Sequence, residues 1–155
     1  MSTVVIPQPR PAETAEPPIV NTFFWPEIDL QRLRETLRYE GTVTAARLRQ
    51  AVKTAISEVN AELYDYRAEQ MEAGFKLLAD VPADSLDGES EKLTNYFDAV
   101  CHLTAATIVE RYRGYDANGT KKAEEIKASA DEYWRDARFS ISKVAGKRAC
   151  IIGLL

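Results

Sequence analysis

The chain predicts an all-α fold: a bundle of about four helices with an extended proline-rich N-terminal arm and a short apolar C-terminal tail. Three observations predict it. Apolar residues recur at steps of three and four through most of the 155 residues, the helical period and not the strand period of two. Five of the seven prolines, Pro7, Pro9, Pro11, Pro17 and Pro18, crowd into residues 1–20, where they exclude a helix. The last seven residues, Ala149–Leu155, are apolar and continue no helical stripe. The length fits one domain with a real core. The organisation read from these features is an arm over 1–20, a helical body over 21–146 and a docking tail over 147–155.

Each element has its own signals. Asp29 reads as the N-cap of a short helix carrying Leu30, Leu33 and Leu37 on one face, with Gly41 beyond its end. Thr44 caps a long second helix whose stripe is Leu48, Val52, Ala55, Ile56, Val59, Leu63 and Tyr66. That helix fades near Gly74 after about 28–30 residues, or roughly 43 Å at 1.5 Å per residue. Leu77 to Gly88 reads as a loop, punctuated by Pro82, Asp84, Asp87 and Gly88. A third helix follows, with Leu93, Phe97, Val100, Leu103, Thr107 and Ile108 inward, ending near Arg113 with Gly114 as its cap. Asp116–Gly119 is a turn. The fourth helix runs from Lys121 to Val144 with Ile126, Ala130, Tyr133, Ala137, Ile141 and Val144 on its stripe, and Gly146 ends it.

Composition narrows the function classes. Hydrophobic residues at 45% and charged residues at 28% are globular values. A net charge of -4 argues against a dedicated nucleic-acid binder, which is basic as a domain. No run reaches the length of a membrane span, and the N-terminus lacks the pattern of a secretory signal. Cys101 and Cys150 are the only cysteines, and they read as free thiols in a reducing cytoplasm.

The chemical inventory is thin. His102 is the only histidine and follows Cys101 directly. Neighbours on a helix point about 100° apart, so these two form no nucleophile–base pair. A Cys150–His102 pair needs the tertiary fold to make it. Asp116, Asn118 and Thr120 match the first ligand spacings of a calcium loop, but lysines stand at the glycine and glutamate positions, Lys121 and Lys127. No phosphate loop is present. The sequence thus assigns no catalytic residue, cofactor or metal.

Three features point to docking. Charge is segregated: Arg32, Arg34, Arg38, Arg47, Arg49 and Lys53 precede Glu58, Glu62, Asp65, Glu69 and Glu72. This opposes the helix macrodipole along the second helix. It suits head-to-tail contact between copies, the geometry that closes rings, and equally a screened solvated surface. Phe23-Phe24-Trp25 before Pro26 is a hydrophobic staple or an aromatic anchor for a partner, with Trp25 the residue expected to escape the core. Cys150, Ile151, Ile152, Leu154 and Leu155 either fold back on the bundle or dock on another protein.

Asn21–Asp29, Asn60–Arg67, Leu78–Ser90, Glu110–Ala117 and Asp131–Asp136 together resemble the head completion, or head stabilisation, protein family of contractile-tailed temperate phages of the Peduovirus type. The resemblance runs from about Val4 to the C-terminus. It departs at Leu30, where the family pattern has a proline, and in a shorter Asp116–Lys121 turn. It implies a non-enzymatic head–tail connector adaptor in the virion, assembled in the host cytoplasm. Such a protein would bind below the portal after DNA packaging, stabilise the filled head and prepare it for tail joining. By likeness to helical adaptors of other tailed phages, the copies would form a twelve-fold ring. The implied partners are the portal protein, neighbouring copies, a tail-side completion protein and, non-specifically, packaged DNA, with no membrane. By the same likeness the C-terminal tail would be the portal anchor, the proline-rich arm would contact a neighbour or the tail side, and the set Arg32–Lys53 would line the DNA channel or the subunit interface. The alternative class is a helical regulatory module that binds another soluble protein as a monomer or dimer.

Overall fold

Asp29 caps the first helix. Its carboxylate accepts from the backbone N–H groups of Gln31 and Arg32 at 2.8 and 3.3 Å, filling two donors that a helix start leaves open. The computed structural model describes residues 16–38, 43–112 and 120–147. Helix α1, Leu30–Leu37, buries Leu30 and Leu33. Helix α2, Ala45–Glu62, starts at the Thr44 cap and buries Leu48, Ala51, Val52, Ala55, Ile56 and Val59. Helices α3, Tyr64–Glu72, α4, Glu91–Tyr112, and α5, Thr120–Val144, complete the all-α fold. The predicted ends at Gly41 and Gly114, the Asp116–Gly119 turn, the Ile126 side chain, the arm before Glu16 and the tail Ala149–Leu155 lie outside the described residues.

The single helix expected from Thr44 to Gly74 is two. It breaks at Leu63, whose φ and ψ are −96° and 14°. No proline or glycine marks the place. The ladder is kept across it, with Leu63 N–H donating to the Val59 carbonyl and Arg67 N–H to the Leu63 carbonyl. The cause is where the apolar stripe stops. Leu63 is buried, but α3 buries no side chain fully. Past the break the chain follows Tyr66 and Phe75, which pack only partly on the core.

The expected loop at Leu77–Gly88 also contains regular structure. A 3₁₀ turn spans Leu78–Asp80, and strands β1, Ser85–Leu86, and β2, Glu89–Ser90, pair antiparallel. Asp87 and Gly88 join them at φ 50° and 77°. Two positive φ values are what a two-residue hairpin turn needs, and Asp-Gly is its sequence signal.

Helix α4 is the centre of the molecule, packed along α5 and α2. That explains why its burial exceeds one stripe. Phe97, Val100, Leu103 and Ile108 are buried as expected, and so are Tyr96, Ala99, Cys101, Thr104, Ala105 and Ala106. The buried Thr104 hydroxyl is satisfied by the Val100 carbonyl at 2.7 Å. On α5, Ala130, Ala137, Ile141 and Val144 are buried. Gly146 follows its end at φ 68°, the left-handed position that closes many helices. Lys92 reaches across from α4 and donates to the Val144 carbonyl at 2.5 Å and to that of Lys143 at 3.4 Å. A cation there satisfies carbonyls that the helix end leaves open.

Residues 16–20, the described part of the arm, lie against the body. Ile19 and Ile28 exchange two backbone hydrogen bonds at 2.8 and 3.0 Å, and Ile19 is buried. Arg34 pairs with Glu16 at 2.9 Å, and Arg49 donates to the Pro17 carbonyl at 2.8 Å.

Candidate functional site

Beneath the arm's end sits a polar ring closed by three side chains. Asn21 Nδ2 donates to Tyr96 Oη at 2.7 Å, Tyr96 Oη donates to Asn60 Oδ1 at 2.6 Å, and Asn60 Nδ2 donates to Asn21 Oδ1 at 3.0 Å. Asn21 Nδ2 also reaches the Pro26 carbonyl at 3.0 Å. The ring joins the segment before α1 to α2 and α4. Tyr96 is fully buried, and Trp25 stacks on it with centroids 4.9 Å apart and planes 10° from parallel. Phe24 meets Trp25 edge-on at 4.8 Å.

The aromatic anchor assignment is therefore corrected at two residues, Phe24 and Trp25. Trp25, expected to escape, is buried, as is Phe24; Phe23 is the one that is exposed, at 63%. Trp25 N–H donates to the Thr22 carbonyl and closes a turn with Phe23 at its tip. The Tyr96 ring offers Trp25 a flat apolar face that no stripe of three and four reveals. Tyr96 stands on the predicted face of α4, three residues after Leu93 and four before Val100, so the stripe could mark it only as core; its partners Asn21, Trp25 and Asn60 come from distant segments that periodicity does not link. The available signal was that the segments Asn21–Asp29 and Asn60–Arg67 each begin on one of the two asparagines.

Burial pushes the Tyr96 hydroxyl well above the usual range, and the hydrogen bond from Asn21 lowers it only in part. The Cys101 thiol is raised by burial, with the nearby Asp98 charge adding to it; burial also raises Tyr66. The folded chain thus holds these protons more tightly than the unfolded chain. Their contribution is intact below the ordinary thiol and phenol values of 9.0 and 10.0 and is lost as pH rises beyond them. Urea unfolding is expected to be level near pH 7–8 and to fall steadily above about pH 9. A midpoint unchanged at about pH 10.5 would contradict this reading of the buried hydroxyl and thiol.

Little here performs chemistry. A protonated, buried Cys101 is no nucleophile. His102 is half-buried, with Nδ1 enclosed and unpartnered. Cys150 lies outside the described residues, so a Cys150–His102 pair has no geometry to support it. Among the described residues no three His, Cys, Asp or Glu side chains gather at metal-binding distance.

The basic set divides in two. Arg32 makes a two-pronged pair with Glu89 at 3.0 Å on each arm and lies 4.2 Å over the Phe97 ring, which ties α1 to β2 and α4. Arg34 and Arg49 hold the arm's end. Arg38, Arg47 and Lys53 are exposed. Arg47 and Arg111 border an open apolar groove of about 350 Å³ floored by Val43, Ala46, Ala51 and Ile108. On the acidic side, Glu58, Glu62, Asp65 and Glu69 are all exposed and make no ion pair among the described residues. Next to them Arg67 lies over two exposed rings, 5.6 Å from the centroid of Phe23 and 5.2 Å from that of Tyr64.

The described residues form a helical body with exposed aromatic and charged surfaces, and the family it matches is one of structural assembly subunits. The chain belongs to the phage head completion protein (GPL) family, which matches residues 19–155. It is a structural protein of the virion, not an enzyme. A relative that is 53% identical over 152 residues, covering 97% of this chain and 88% of its own length, is the head completion/stabilization protein of Escherichia phage P2. No solved structure matches the chain. Among the described residues, no helix is long and apolar enough to cross a membrane.

Proposed function

We propose that the chain completes and stabilises the DNA-filled phage head as a ring of copies seated beneath the portal, where it prepares the head for tail joining. The observation that carries this reading is family membership across the whole helical body and the tail, together with 53% identity to the P2 head completion/stabilization protein. The arrangement of charge supports it. The exposed cations Arg38 and Lys53 precede the exposed acids Glu58, Glu62, Asp65 and Glu69 along the α1–α3 run, and head-to-tail contact between surfaces of opposite charge closes rings. In this reading Cys150, Ile151, Ile152, Leu154 and Leu155 anchor each copy to the portal. The tail side meets a further completion protein, and basic side chains not engaged within the subunit face DNA or the neighbour.

Light scattering of the purified chain mixed with isolated portal rings tests the reading. A portal-bound mass equal to a full circle of copies is the expected result. Full-length chain that adds no mass to empty or DNA-filled portals would overturn the portal assignment and favour a partner elsewhere on the capsid.

A further inference from the structure

We infer that the exposed Phe23–Arg67–Tyr64 surface receives the proline-rich segment Val4–Pro11 of a neighbouring copy, so that the ring is laced by exchanged arms. This rests on the proposed ring and names the contact that builds it.

The receiving surface has the make-up of a recognition site. Phe23 is 63% exposed and Tyr64 59%, and Arg67 bridges their rings. Met71, 41% exposed, continues the same face of α3, since 64, 67 and 71 follow at steps of three and four. Val20, 82% exposed, stands three residues before Phe23. Tyr, Phe, Met and Arg are the side chains enriched where proteins meet. Helix α3 buries none of its side chains fully. It contributes little to this subunit's core while carrying exposed aromatic and sulfur-containing side chains.

The occupant follows from chemistry and direction. Val4-Val5-Ile6-Pro7-Gln8-Pro9-Arg10-Pro11 combines an apolar cluster with three prolines and one cation. Such a segment favours the extended polyproline conformation, which loses little entropy on docking and lies well on aromatic side chains. Arg10 meets a surface flanked by Glu62, Asp65 and Glu69, none of which has an ion pair among the described residues. Direction selects a neighbour over the same copy. From Phe23 back to Glu16 the chain runs toward Arg49 and Arg34, about 22 Å along α2 from Tyr64. It leaves at the basic end, heading away from its own aromatic surface. Pro17 and Pro18 restrict the backbone where the chain leaves the body, and Pro7, Pro9 and Pro11 stiffen the docking segment itself. Head-to-tail stacking brings the next copy's acidic end to meet it.

Two full-length variants test the exchange. One carries Phe23→Ser and Tyr64→Ser, both exposed positions; the other carries Val5→Asp and Ile6→Asp in the arm. Circular dichroism first checks that both keep the native helix signal and melting temperature. Sedimentation of the wild-type chain is expected to show mass rising with concentration. Each variant alone should stay monomeric, and an equimolar mixture should form a dimer and stop there, because only one intact arm and one intact surface remain to meet. Association of the surface variant like wild type would overturn the proposal. So would two monomeric variants that form no mixed dimer, as docking within one copy predicts. Binding of each variant to portal rings is measured in parallel. Variants that seat on the portal but still associate like wild type, or that fail to form the mixed dimer, sink the exchange and leave the proposed function standing; wild-type chain that does not bind portal rings sinks the proposed function itself.

Discussion

Tyr96→Ala is expected to destabilise the chain by about 5 kcal/mol. Truncating a large buried aromatic costs about 3–5 kcal/mol through lost burial and the cavity left behind. Trp25 loses its stacking partner. Asn21 and Asn60 each lose one member of the ring of hydrogen bonds, and a buried polar group left unpaired costs about 1–3 kcal/mol. These losses share one site and do not add fully. A total near 5 kcal/mol is comparable with the whole stability of many domains, about 5–15 kcal/mol. Tyr96→Phe separates the parts: it keeps the stack and removes the hydroxyl, so it should cost only about 1–2 kcal/mol. Urea unfolding followed by far-UV circular dichroism measures both. Equal losses for the two substitutions would mean that the hydrogen-bonded ring, and not the ring stack, holds the segment. A Tyr96→Ala loss below about 1 kcal/mol would refute the clamp that Tyr96 forms with Asn21, Asn60 and Trp25.

The clamp also has a functional consequence. It fixes the turn Thr22–Trp25 on α2 and α4, and that turn presents Phe23 at its tip. The aromatic surface is thus held on rigid elements although it sits on a loop. The arm's exit is held just as firmly by Arg34 and Arg49, through one ion pair and backbone carbonyls. Two of the six basic residues that the sequence assigns to an interface or DNA channel therefore act first on the arm within their own subunit, and Arg32 acts on the hairpin.

What was legible in the sequence is what periodicity and local caps encode. Asp29 and Thr44 act as caps because a side-chain acceptor next to a free helix start has one dominant use. The stripes of α2, α4 and α5 were legible because a helix with one buried face repeats at three and four. The break at Leu63 was not, since no proline or glycine signals it and it follows from where core contact ends. The Asp87-Gly88 hairpin was legible in principle: the dipeptide was present, but the strands are only two residues each, too short to show alternation. The exchange of roles between Phe23 and Trp25 depended on Tyr96, some seventy positions away, and periodicity within one segment carries no such information.

Removing Ala149–Leu155 is expected to abolish head completion while leaving the helical body folded. Seven residues of this composition can bury about 300–400 Å² of apolar area, an upper bound of ~8–10 kcal/mol at 25 cal/mol/Å². Ordering seven residues costs about 1.5 kcal/mol each, which nearly cancels it. A single docked tail is therefore weak, and under the proposed portal anchoring retention would depend on many tails acting together in one ring. Two results follow. Complementation of a phage lacking the gene should fall by at least about 100-fold with the truncated chain, the scale on which linked weak contacts gain over single ones. Co-expression with the full-length chain should then reduce completion more steeply than the fraction of truncated copies, because each ring mixes both. The melting temperature of the body distinguishes the other use of the tail. If it holds within about 1 °C, the tail works outside its own subunit; a fall of several degrees, the size of a lost 1–2 kcal/mol of packing, would mean that it folds back on the bundle. Normal completion by the truncated chain would end the anchor assignment and shift portal contact to the open, mainly apolar groove of Val43, Ala46 and Ile108.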